Sequence, residues 1–113
     1  MNKKTFQKFI DRDQRCPHCG TDDDTLIPHH RANRGMGGSR SLDRPSNIIL
    51  LCSEANHLLE VDFKFAQLGR ELGWKLTRGQ VPEFTPALLY DGLWLLDNNF
   101  NKTPVPENQT EYL

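Results

Sequence analysis

Two stretches decide the fold: Thr25-Leu26-Ile27-Pro28-His29-His30 and, further along, Asn47-Ile48-Ile49-Leu50-Leu51-Cys52-Ser53-Glu54-Ala55-Asn56-His57. Thr25 to Ile27 predicts a short strand that runs into two histidines. Ile48 to Leu51, apolar and half β-branched, predicts a second, buried strand. From Ala55 to Leu72 the period changes, with Leu58, Val61, Phe65, Leu68 and Leu72 on one face of an expected helix that Gly73 closes. Residues 31–46, between the strands, hold three glycines, four arginines and few apolar side chains. Such a segment cannot bury itself, and structureless loops beyond about 12–15 residues are usually functional or disordered. The order is strand, loop, strand, helix. Polar groups at the strand end and the helix start converge if the strands pair as a hairpin and the helix packs across them.

Working outward, Phe6, Phe9 and Ile10 at i, i+3, i+4 spacing predict a helix over 3–14. Cys16-Pro17-His18-Cys19-Gly20 reads as a tight turn. Trp74-Lys75-Leu76 reads as a strand. Leu88-Leu89-Tyr90 and Leu93-Trp94-Leu95-Leu96 flank Asp91-Gly92, a pair suited to the positive φ angles of a type I′ hairpin turn. Residues 97–113 are polar and read as a mobile tail. The fold class expected is α+β.

With 113 residues, 36% of them hydrophobic, the chain fits one domain over 1–113 with a modest core. No apolar run approaches 18 residues, so no membrane partner is expected. The start Met1-Asn2-Lys3-Lys4 lacks the apolar stretch of a secretory signal, which points to the cytoplasm. Three cysteines there argue against a disulfide framework, so Cys16-x-x-Cys19 reads as metal ligands or a redox pair. The redox reading would need a βαβ pattern around the motif, and none is present. Net charge is −1, but Arg31, Arg34, Arg40 and Arg44 lie near a single acid, Asp43. A neutral protein can thus still present a basic face.

Adjacent residues on a strand point to opposite faces, so His29 and His30 divide their labour. One can bind a metal while the other faces a substrate. Phosphodiester hydrolysis uses that division: a cation neutralises charge on the phosphate, and a histidine takes a proton from water.

With Cys16-Pro17-His18-Cys19, His29-His30-Arg31, Arg34-Gly35-Met36-Gly37-Gly38-Ser39, Ser46-Asn47 and Leu51-Cys52 in this order, the chain resembles the HNH endonucleases. It is most similar to the small members encoded by bacteriophages, often near packaging genes. The resemblance implies a ββα-metal core over about 14–76, here with an N-terminal helix, a CxxC turn and a C-terminal hairpin extension over 77–96. It implies that His29 binds a catalytic divalent cation (Mg, Mn, Ni or Zn), that His30 is the general base, and that Asn47 ties down the loop and helps orient His30. It further implies DNA as partner, with Arg31, Arg34 and Arg40 as phosphate contacts and Gly37 and Gly38 allowing close backbone approach. A phage terminase as second partner, a bacterial host cytoplasm and a monomer or weak dimer complete the expectation.

The chain departs from the family's end motif, Leu-Cys-x-x-Cys-His. Without a gap, Ala55 stands at the second cysteine and Asn56 at the final histidine, with His57 one residue late. Register favours Asn56 as second ligand of the catalytic ion; the intrinsic affinity of imidazole favours His57. Cys16, Cys19 and Cys52 are a candidate structural zinc site with three of the usual four ligands, His18 or His57 being candidates for the fourth. These departures motivate an alternative: a non-catalytic, zinc-ribbon-like DNA-binding or packaging adaptor.

Overall fold

The computed structural model describes residues 1–33 and 42–106. Among them the chain forms a compact α+β fold of three helices and two small antiparallel sheets. Among the described residues no helix is long and apolar enough to cross a membrane.

Helix α1 spans Lys3–Asp13. The side chain of Asn2 caps it by accepting from the Thr5 amide at 2.8 Å, so one unpaired N-terminal donor is satisfied. Its apolar face buries Phe9 and partly buries Phe6 and Ile10. Its last turn holds a feature the pattern of charges concealed. Arg12 and Asp13 are both buried as an ion pair, Nε to Oδ1 2.6 Å. Arg12 also donates to the carbonyl of Pro45, and Asp13 accepts from the amide of Leu50 at 3.0 Å. A buried pair survives only when its remaining donors and acceptors are matched, and here they fasten α1 to the neighbouring strand.

Strands β1 (Leu26–His30) and β2 (Ile48–Cys52) pair antiparallel, with Leu26 opposite Cys52 and His30 opposite Ile48. Every residue of β2 is buried, as its continuous apolar run demands. Helix α2 (Ser53–Val61) follows at once and packs on both strands. The Cys52 sulfur caps it, accepting from the Ala55 amide at 3.3 Å.

The expected single helix over 55–72 is two. Asp62 leaves the helical region (φ −112°, ψ 116°), and its carboxylate accepts from the Phe65 amide at 2.9 Å to start α3 (Phe63–Glu71). An aspartate offers the backbone a local partner that competes with the helical bond. The break resets the rotation, so Val61 and Leu68 of the expected stripe are exposed, whereas Ala55, Leu59, Ala66 and Gly69 face inward. Gly73 does end α3. At φ 78° it lets the amide of Trp74 reach the carbonyl of Gly69 at 2.8 Å, and a Cβ there would meet the Pro86 carbonyl oxygen at 1.9 Å.

Residues 74–76 form no strand; Leu76 instead donates to the carbonyl of Arg31 at 2.8 Å. The second sheet has the order β3 (Ala87–Leu89), β4 (Gly92–Leu96), β5 (Lys102–Pro104). The β3–β4 turn lies over Tyr90 and Asp91, neither at positive φ, with Gly92 at φ 132° just after it. It is therefore not the type I′ turn expected on Asp91-Gly92. Residues 97–106, expected to belong to a polar tail, supply β5 and the turn before it. One apolar cluster joins both sheets, from Phe9, Leu26 and Ile49 through Leu59 and Trp74 to Ala87, Leu89 and Leu96.

Candidate functional site

His29 sits near the end of β1 with 6% of its surface exposed. Its Nε2 lies 2.6 Å from the carbonyl oxygen of Trp74, which can only accept, so Nε2 carries the proton. That leaves the Nδ1 lone pair as an acceptor, and the side-chain amide nitrogen of Asn56 donates to it at 3.1 Å. Burial pushes the His29 pKa below the usual histidine value, against the opposing pull of the Trp74 carbonyl and Glu60. The ring is thus a neutral donor near neutral pH, the form a metal requires.

Asn56 reaches this place because α2 starts directly after β2 and packs on β1. Of the two candidates at the helix start, Asn56 lies against His29, and His57 is exposed. Among the described residues His29 belongs to no group of three or more His, Cys, Asp or Glu donors. The protein therefore offers one imidazole and one amide. An imidazole with an amide suits a borderline divalent cation only if solvent or another ligand completes its shell.

His30 follows on β1, its side chain 44% exposed, with Nε2 2.8 Å from the Asp43 carboxylate. A carboxylate accepts, so in the neutral ring Nε2–H donates to Asp43 and Nδ1 remains a proton acceptor. Asp43 was legible only as the lone acid among arginines; nothing in the spacing pairs it with His30.

Asn47 is fully buried. Its side-chain oxygen accepts from the Ala32 amide at 2.8 Å, and its Nδ2 donates to the carbonyls of Ala32 and Leu42 at 3.1 and 2.8 Å. One amide thereby pins the two ends of the segment between the strands.

Arg31, expected on DNA phosphates, is a correction. It is 1% exposed, and its guanidinium donates to the carbonyls of Gly73, Ser46, Pro82, Thr85 and Pro86. Burial, and next the nearby Arg12, push its pKa down to about 9, which leaves it cationic at neutral pH. With its donors spent on backbone, it has nothing to present to a phosphate. Arg34, Gly37, Gly38 and Arg40 lie outside the described residues.

The sulfurs of Cys16, Cys19 and Cys52 lie within 4.8 Å of one another. The turn Cys16–Gly20 brings the first two together, closed by Gly20 N–H to the Cys16 carbonyl at 2.8 Å. Cys52 arrives from the end of β2, opposite Leu26. Burial alone would raise the Cys16 pKa, but N–H groups of Cys19, Cys52 and His18 outweigh it, and the net shift is downward. Burial and the neighbouring sulfurs push Cys52 up to about 11. Around zinc at about 2.3 Å per bond, tetrahedral sulfurs stand about 3.8 Å apart, so the cluster fits a thiophilic cation after a small contraction. Neither His18 nor His57 joins it. The His18 ring packs on Phe65, with centroids 4.9 Å apart.

No protein-family model, curated protein or solved structure matches this chain.

Proposed function

We propose that this chain is a divalent-metal-dependent DNA endonuclease of the HNH type, with a ββα core made by β1, β2 and α2. The observation that carries the reading is the meeting of His29 and Asn56, Nδ1 to Nδ2 3.1 Å, with the His29 ring held by the Trp74 carbonyl. Support comes also from the order of parts: adjacent histidines at a strand end, a buried asparagine opening the second strand, and a helix start that returns to the first strand.

His29 through Nδ1 and Asn56 through its side-chain oxygen, with the amide turned out of its hydrogen bond to His29, would hold the cation, which when bound supplies charge neutralisation on the phosphate and the leaving oxygen. His30 takes the proton of the attacking water at Nδ1. Asp43, accepting from Nε2–H, fixes the ring and stabilises the imidazolium that results, as a carboxylate does behind any histidine base. Asn47 holds both ends of the glycine-arginine segment that would lie on DNA, where Arg34 and Arg40 are the remaining phosphate contacts. Phage DNA processing, beside a terminase, is the setting this reading implies. It is tested by incubating the purified protein with supercoiled plasmid and Mg²⁺, Mn²⁺, Ni²⁺ or Zn²⁺, in parallel with His30→Ala.

The three-cysteine cluster favours a second reading, a zinc-bearing module that binds DNA or a packaging protein without cutting. Tight DNA binding without cleavage in any of these metals would select it.

A further inference from the structure

Among the described residues no fourth ligand lies with the three sulfurs of the cysteine cluster. The sequence has three cysteines and four histidines, all among the described residues. Every histidine stands elsewhere: His18 on Phe65, His29 between Trp74 and Asn56, His30 on Asp43, and His57 exposed on α2. Among the described residues no carboxylate joins the three sulfurs either. Ala55, whose amide already touches the Cys52 sulfur, offers only a methyl group.

The site is also reachable. Cys16 and Cys52 are buried, but Cys19 is exposed. Cys19 and Cys52 line a cavity of about 230 Å³ whose other walls are oxygen-bearing: Asp23, Thr25, Ser53 and Glu54 among them. One water needs only about 10–15 Å³ of such space, so the cavity admits a ligand larger than one water. Closed four-ligand zinc sites are structural, whereas a position left to solvent makes the metal accessible.

We infer that Cys16, Cys19 and Cys52 form an open three-thiolate site for zinc or a similar thiophilic divalent cation, whose fourth position takes an exchangeable ligand of imidazole or small-thiol size from the cavity. The site stands on the chain's own sulfurs and does not depend on nuclease activity.

The test is cobalt substitution of the full-length, metal-free protein, read by visible and near-ultraviolet absorption. The wild type should show sulfur-to-cobalt charge transfer with tetrahedral d–d bands, and those bands should shift when imidazole or a small thiol is added. Cys19→Ser, at an exposed position, should weaken cobalt binding by more than about 100-fold, since loss of outer partners alone costs about 10–100-fold. Ala55→Cys should give a four-sulfur spectrum that added ligand no longer moves. Absence of charge transfer in the wild type, or wild-type bands that added ligand leaves unmoved, overturns the inference. The wild-type response decides the matter whether or not Ala55→Cys folds.

Discussion

Nδ1 of His29 and Nδ2 of Asn56 lie 3.1 Å apart across 27 residues of sequence, which joins the end of β1 to the start of α2. The contact depends on the carbonyl of Trp74, because that group holds the opposite ring nitrogen and so decides which lone pair faces Asn56. A turn just beyond α3 thereby sets the chemistry of a residue on β1.

If this pair holds a cation, Asn56→Ala should weaken Mn²⁺ or Ni²⁺ binding by at least about tenfold, on the scale of altered metal-site partners. His57→Ala should leave it within about twofold, since that side chain is exposed and apart from the pair. Calorimetric titration of both variants, with the cysteine site already filled, checks this. Equal losses would mean that the two residues share the task.

Arg31→Ala should destabilise the fold by at least about 4 kcal/mol in urea denaturation. Five carbonyls lose a charged donor, and each buried unsatisfied group costs about 1–3 kcal/mol. Arg31→Lys should rescue little of it, because an ammonium cannot reproduce the fork that spans Gly73, Ser46 and Thr85. A variant as stable as wild type would refute the assignment of Arg31 to the core.

Asn47→Asp keeps an acceptor for the Ala32 amide and loses the donor to Ala32 and Leu42. It should cost about 2–4 kcal/mol in the same assay, because it also places a carboxylate beside two carbonyls. Asn47→Ala should fall in the same range.

Glu83 makes a pH prediction. Burial works to raise its pKa, but the hydrogen bond and charge of Arg44, 3.0 Å away, prevail and hold it below the ordinary 4.5. A depressed carboxylate contributes stability that is complete above its unfolded value. The contribution fades as pH falls from about 4.5 through the lower folded value. Both partners are partly exposed, so it should be under about 1 kcal/mol. Glu83→Gln should remove that part of the acid limb of a stability-against-pH curve and leave the rest.

Much of the fold was legible where one period governs a segment. The two strands follow from the apolar runs Leu26-Ile27 and Ile48 to Leu51, and α1 from Phe6, Phe9 and Ile10. What escaped depends on contacts distant in sequence or on single polar residues. Arg31 looks like any of four arginines in a glycine-rich loop; only carbonyls 15 to 55 residues away reveal it as core. Asp62 lies inside an unbroken apolar period, which passes over the cap it makes. Strand β5 reads Lys102-Thr103-Pro104, too short and polar to announce itself, and is shaped by pairing with β4. At the site, His29, His30 and the choice between Asn56 and His57 could be posed from order alone. The Trp74 carbonyl and Asp43, which set the proton on each histidine, could not.

The measurement that bears most directly on the account is plasmid cleavage by wild type and His30→Ala in the same divalent metal. The wild type should convert supercoiled plasmid to nicked or linear DNA with Mg²⁺, Mn²⁺, Ni²⁺ or Zn²⁺ and do nothing in EDTA. His30→Ala should lose at least about 100-fold in rate, the usual contribution of a positioned base. A His30→Ala protein that cuts as fast as wild type, or a folded wild type that cuts with none of these metals, would contradict it.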